Sequence, residues 1–322
     1  MNAKDLRIIF MGTPEFAVEI LKGLVESEYK VVGVVTAPDK PSGRGQKLQE
    51  PEVKKYALSQ NLKVLQPEKL KNQEFNDELK ALNADLQIVV AFRMLPEQVW
   101  RMPKLGTFNL HASLLPQYRG AAPINWAIIN GEEKTGLTTF LIDAEIDTGK
   151  ILLKKEIEIK KTDSAGDLHD RMMVAGAKLV QDTIEIIANG DLKPITQDSL
   201  IQTIIEIKPA PKIFKNDCHI NWEDEGEKIY NFIRGLSPFP GSWTNLVYPE
   251  TGKILNLRVY ESEWIEEITQ EKPGTLQADK YKFLVAVKNG YISLKVIQLE
   301  GKKKLNVDEF LRGFKIDNQI LI

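Results

Sequence analysis

Asn109, His111 and Ser113 alternate at the end of an apolar run, ahead of Leu114, Leu115, Pro116 and a loop that contains Gly120. In extended chain, side chains two apart share a face, so an amide, an imidazole and a hydroxyl project together. An amide and an imidazole can aim donors at one oxygen. Such donors stabilise an oxyanion as it develops, by a few kcal/mol each in a water-poor site. Downstream, the stretch LIDAEIDTG carries Asp143, Glu145 and Asp147 in a loop before another apolar run that starts at Ile151. One of these carboxylates is suited to orient the imidazole and to accept a proton.

The elements that position these groups are legible in the first half of the chain. Short β-branched runs alternate with amphipathic segments, the pattern of a mostly parallel sheet with helices on both faces. Strands are expected at residues 6–11, 30–36, 63–65, 86–91, 107–110 and 137–141, and helices at 15–27, 51–60, 73–82 and near 124–130. The trio of polar residues then falls at the carboxyl end of a sheet strand, where open α/β sheets place their ligands. A long helix is expected over 164–188, with Ser164 and Asp167 at capping-box spacing and Gly190 as its stop. A polar stretch with Pro194, Pro209 and Pro211 follows and reads as a linker, dividing a domain over 1–205 from one over 206–322. The second domain shows a helix at 225–235 and short strands at 242–248, 254–260, 283–287 and 291–298, as in a small barrel or sandwich. The PFPGSW run at 238–243 reads as a rigid turn with an aromatic anchored in the core.

Composition narrows the class further. The 322 residues are 43% hydrophobic and 27% charged, close to globular averages, so collagen-like and wholly disordered chains are excluded. The apolar runs fall far below the roughly 20 residues that a membrane span needs, and the charged start lacks the features of a secretory signal. A soluble cytoplasmic protein is expected. One cysteine, Cys218, and three histidines leave little from which to build a metal cage. A net charge of -2 argues against coating nucleic acid by overall charge and leaves room for a local basic patch. The first strand-helix turn, Gly12-Thr13-Pro14, has one of the three glycines of a dinucleotide fingerprint, which weakens an oxidoreductase reading. It serves either as an anion site at a helix start or as a tight turn alone.

Taken jointly, N-L-H-A-S-L-L-P, R-G-A-A-P and the later I-D-T-G resemble the folate-dependent formyltransferases, with matches at Asn109, His111, residues 113–116, Gly120 and Asp147. The resemblance implies a Rossmann-like catalytic domain in which Asn109, His111 and Asp147 carry the chemistry. It further implies that Ser113, Leu114, Leu115 and Pro116, with Phe92, Arg93 and Leu95 of the AFRMLP segment, line the site of 10-formyltetrahydrofolate, and that no metal takes part. His111 and Asn109 would then receive the oxyanion. Asp147 would keep the imidazole protonated or assist proton removal through water.

Within the family, the chain is similar to the branch that acts on initiator methionyl-tRNA, and a monomer is expected. GTPEF at 12–16, APDKPSGRGQKL at 37–48 and the second β-rich domain carry that narrower match. It implies an OB-like barrel, and a loop whose Lys40, Arg44 and Lys47 meet the tRNA phosphate backbone. Lys208, Lys212 and Lys215, and Lys302 to Lys304, are either further RNA contacts or solvated loops. One departure stands out: Arg93 occupies a position where that branch has a flexible glycine. The branch that formylates amino-sugar nucleotides is the runner-up, and it lacks the Gly43-Arg44-Gly45 insertion. A non-catalytic nucleic-acid-binding protein on the same fold is a third reading, against which the complete Asn109, His111, Asp147 set argues.

Overall fold

Strand β1 (Ile8–Gly12) is buried from end to end, as expected of a central strand whose two faces are both covered by helices. It sits in the middle of a seven-stranded sheet with β2 (Val31–Val35), β5 (Val64–Leu65), β6 (Leu86–Val90), β7 (Thr107–His111), β8 (Lys134–Leu141) and β9 (Ile151–Glu158), in the order β5-β2-β1-β6-β7-β8-β9. The pairings from β5 through β7 are parallel, and β8 joins β7 antiparallel. Strands β3 (Lys40–Ser42) and β4 (Lys47–Gln49) form a separate hairpin. The structure, a computed structural model, describes residues 2–42, 47–202, 206–314 and 319–322.

The helices are α1 (Glu15–Glu26), α2 (Glu52–Ser59), α3 (Gln73–Ala81), α4 (Glu97–Trp100), α5 (Pro123–Ile129), α6 (Ala165–Asn189), α7 (Gln197–Ile201), α8 (Gly226–Gly235) and α9 (Val307–Arg312). On one face of the sheet, Ile9, Met11 and Val89 pack with Phe75 and Leu79 of α3 and Val99 of α4. On the other, α6 approaches so closely that a Cβ at Gly176 would lie 2.9 Å from Leu110 and 3.8 Å from Ile20 of α1. Gly12 lets β1 turn into α1, because a Cβ there would come within 2.5 Å of Ala17. The capping box of α6 forms as its spacing predicts. The Asp167 carboxylate accepts from the Ser164 N–H (2.8 Å), the Ser164 hydroxyl accepts from the Asp167 N–H (3.2 Å), and Gly190 leaves the helix at φ +77.

The chain divides into two units, one of Met1–Gly120, Thr135–Ile157 and His169–Pro209, the other of Ala121–Lys134, Glu158–Leu168 and Ala210–Ile322. The second unit holds β10 (Ser242–Tyr248), β11 (Lys253–Glu266), β12 (Leu276–Ala278), β13 (Phe283–Val287), β14 (Gly290–Leu299), β15 (Leu305–Asn306) and β16 (Ile320–Leu321). They form one antiparallel sheet in the order β12-β13-β14-β11-β10-β16, with β15 on β14. The sheet curls almost into a barrel: the Leu321 N–H of its last strand donates to the Gly274 carbonyl beside its first, at 3.3 Å. Inside lie Ile229 and Ile233 of α8, with Leu257, Phe283, Ile292 and Phe310.

Three features differ from the sequence expectation. β11 continues past Tyr260 through Glu266, because its charged residues alternate outward while Trp264 stays partly buried and packs on the barrel core. The stretch after Gly190 is no free linker: Ile195 exchanges both backbone hydrogen bonds with Ile151 at 2.9 Å, and α7 follows. In the PFPGSW turn, Phe239 is 81% exposed. Trp243 is half-buried, set edge-on against His219, with its indole N–H on the Lys215 carbonyl. Among the described residues, no helix is long and apolar enough to cross a membrane.

Candidate active site

β7 delivers Asn109 and His111 to the carboxyl end of the parallel strands, between Val89 of β6 and Phe140 and Thr138 of β8. The imidazole of His111 is buried, and its Nε2 lies 2.8 Å from the Tyr118 carbonyl. A carbonyl can only accept, so Nε2 carries a proton and the Nδ1 edge faces the other way. That edge meets Oδ2 of Asp147 at 3.7 Å, within ion-pair distance when the ring is protonated and too far for a direct hydrogen bond. Asn109 shares the His111 face and is half-buried. Its carboxamide makes no hydrogen bond among the described residues. One donor with unspent capacity, the Asn109 carboxamide, thus shares a strand face with an imidazole whose Nδ1 edge turns to a carboxylate.

Asp147 is selected from its loop by geometry. Asp143 is exposed and accepts from the Glu145 N–H at 3.1 Å and the Thr148 hydroxyl at 2.8 Å, so it shapes the turn. Glu145 is exposed. Asp147 alone points inward, and its Oδ2 also accepts from the Gly120 N–H at 3.0 Å. Its backbone sits at φ +56, which costs a non-glycine residue about 1–2 kcal/mol. Gly149 closes the loop: a Cβ there would lie 1.6 Å from the Leu141 carbonyl oxygen. Two residues that the sequence reading passed over complete the frame. Thr138 of β8 donates to the Ser113 carbonyl at 2.6 Å and accepts from the Leu115 N–H at 3.1 Å. Gln197 holds the Asp147 and Gly149 carbonyls at 2.8 and 2.9 Å.

Of the residues expected to line a folate site, Ser113 spends its hydroxyl on the Gln117 carbonyl at 2.6 Å, and Leu115 is fully buried in a cluster with Phe140 and Ile151. Leu114 is half-buried and Pro116 buried, so this stretch presents mainly backbone and the Leu114 side chain. Beyond β6, Ala91 turns at φ +47, Phe92 is half-buried and Leu95 joins the core beside Val99. Arg93 reaches away, donating to the Glu68 carbonyl at 2.8 Å and to the Pro67 carbonyl, and burial pulls its guanidinium below the ordinary arginine range.

The expected basic loop has a folded stem. Lys40 pairs with Gln49 at the base of the hairpin and is exposed. Arg44 lies outside the described residues, as does the side chain of Lys47. Below the hairpin, Lys54 bonds Asp39 at 2.6 Å and Glu50 at 2.7 Å, while Gln66 holds the Ala37 carbonyl and Asp39. The Lys54 hydrogen bond, then that of Gln66, holds Asp39 below the usual carboxylate range.

A doubly covered, mostly parallel sheet with an amide and an imidazole at the end of one strand, and a carboxylate brought in by the loop after β8, is an arrangement suited to group transfer. Residues 6–197 match the formyl transferase family and residues 212–315 its C-terminal domain, and the chain belongs to that family. Over 319 residues it is 55% identical to methionyl-tRNA formyltransferase of Bacteroides thetaiotaomicron, spanning 99% of this chain and 98% of that one. It is 53% identical to methionyl-tRNA formyltransferase of Flavobacterium johnsoniae over 316 residues, 98% of each. A solved N-formyltransferase from Helicobacter canadensis, in complex with folinic acid and dTDP-3-aminofucose, shares the fold. Its TM-score is 0.63 at 21% identity, over 93% of this chain and 100% of that one.

Proposed function

We propose that the chain transfers the formyl group of 10-formyltetrahydrofolate to the free amine of initiator methionyl-tRNA, as a cytoplasmic monomer in translation initiation. The observation that carries this reading is the pairing of His111 with Asp147 beside an uncommitted Asn109, in a chain more than half identical over its whole length to methionyl-tRNA formyltransferases.

The chemistry sets the roles. The amine lone pair attacks the formyl carbon, a C–N bond forms, and the carbonyl electrons move onto oxygen. Asn109 donates to that oxyanion, as does His111 through Nδ1–H when the ring is protonated, its Nε2–H being held by the Tyr118 carbonyl. Water exclusion around the buried ring strengthens both bonds. Asp147 balances the charge of a protonated His111 and assists removal of the amine's proton through water. As the oxyanion collapses, the bond to the folate nitrogen breaks and that nitrogen gains a proton, so loss and gain balance. The proposed reaction uses no metal.

In this reading, residues 1–205 form the catalytic domain and 206–322 the tRNA-binding domain. Phe92, Arg93 and Leu95, with Ser113, Leu114, Leu115 and Pro116, flank the folate. Ser113 and Leu115 contribute through backbone, since their side chains are engaged elsewhere. Arg93 contributes by fixing its own segment against residues 67 and 68. Lys40, Arg44 and Lys47 meet tRNA phosphates.

The test is an acceptor comparison. With 10-formyltetrahydrofolate as donor, formyl-methionyl-tRNA should form rapidly, and an amino-sugar nucleotide should remain unmodified. Preferential formylation of the sugar would overturn the acceptor assignment while keeping the family.

A further inference from the structure

We propose that Gln197 is a positioning residue for formyl transfer, holding Asp147 within reach of His111. This rests on the role of Asp147 given above.

Gln197 opens α7, and its residue is almost wholly buried, with an exposure of 2%. A buried carboxamide must satisfy two donors and an acceptor, and this one does so entirely around the carboxylate. Its Nε2 donates to the carbonyls of Asp147 (2.8 Å) and Gly149 (2.9 Å). Its Oε1 accepts from Nε (3.1 Å) and Nη2 (2.7 Å) of Arg119. The neighbour of Arg119 is Gly120, whose N–H donates to Oδ2 of Asp147. One side chain therefore grips both segments that meet at the carboxylate: the loop that carries Asp147 and the turn that binds it. Asp147 needs such a grip, since its left-handed backbone returns to the commoner extended or right-handed regions when released. The Ile195–Ile151 bridge fixes Gln197 beneath the loop.

The discriminating variants are Gln197→Glu and Gln197→Met. Glutamate still accepts from Arg119 and cannot donate to either carbonyl, and methionine keeps the volume and makes none of the four bonds. In each, kcat should fall about tenfold or more, because small displacements of a reacting group cost that much, with KM for both substrates within about twofold. In an Asp147→Asn background, Gln197→Met should cost less than about twofold, since a residue acting through another shows non-additivity. A kcat of Gln197→Met near the parent value, or a full additive loss in the Asp147→Asn background, would overturn the proposal.

Amide exchange over residues 143–149 gives a readout independent of turnover. It should speed up in Gln197→Met, and unchanged exchange would again overturn the proposal. Should the parent chain transfer no formyl group to methionyl-tRNA, the functional reading fails and exchange still decides the role of Gln197. If neither Gln197 variant folds, Arg119→Lys, which breaks the fork on Oε1, carries the same kcat and exchange tests.

Discussion

The His111 site and the hairpin of β3 and β4 are held in opposite ways. At the site, the imidazole, the carboxylate and the loop backbone each have a named partner, and the centre is buried. At the hairpin, the fixing contacts lie at the base, Asp39 with Lys54 and Gln66, while Lys40 stands in solvent. The contrast suits the two tasks proposed for these regions. Stabilising an oxyanion requires donors fixed in advance at a few tenths of an ångström, and binding a phosphate backbone requires positive charge on a presented stem.

That contrast predicts effects of different kind and size. His111→Ala should lower kcat by roughly 10³-fold or more with folate affinity retained, read by steady-state kinetics and direct binding. Near-normal turnover would remove the imidazole from the chemistry. Asn109→Ala, taking away one donor, should cost roughly 10²–10³ in kcat with little change in KM. Arg44→Ala should leave kcat at saturation and folate binding alone, raise KM for tRNA several-fold, and flatten the salt dependence by about one phosphate contact. A folate effect without a tRNA effect would assign the hairpin another task.

The smallest effect is expected at the hairpin base. Lys54→Met should raise KM for tRNA by about twofold, the size expected of a partly covered ion pair at the base of the stem. The pH dependence has a definite sign. Asp39 is held below its ordinary value, so its anchoring is complete above the unfolded carboxylate range near ~3.9 and is lost as pH falls through the folded value. Protection of the β3 and β4 amides, taken relative to the intrinsic exchange rate at each pH, should therefore fall on acidification in the parent chain and show no such step in Asp39→Asn.

The sheet was legible because its strands are β-branched runs between amphipathic helices. Asn109 and His111 could be paired from period-two spacing alone. Asp147 was not separable from Asp143 by spacing, since both sit in one acidic loop, and only the motif and then the fold distinguish the residue that shapes the turn from the one that faces His111. Gln197 left no trace in the sequence, because a proline-bearing polar stretch looks like a surface linker until Ile195 is seen zipped to Ile151. β12, β15 and β16, of two or three residues each, are too short for any periodicity to register. The buried hydroxyl of Thr138 was hidden for a different reason: a threonine in a strand ordinarily signals β propensity, and here it also clamps the turn after His111.

The central claim, that the Asp147 carboxylate acts with His111 on a transferring formyl group, is tested most directly by single-turnover formylation with the Asp147→Asn protein at saturating folate and methionyl-tRNA. The rate should fall by roughly 10²-fold or more while both substrates bind as before. A rate close to that of the parent chain, with the variant folded and both ligands bound, would contradict it.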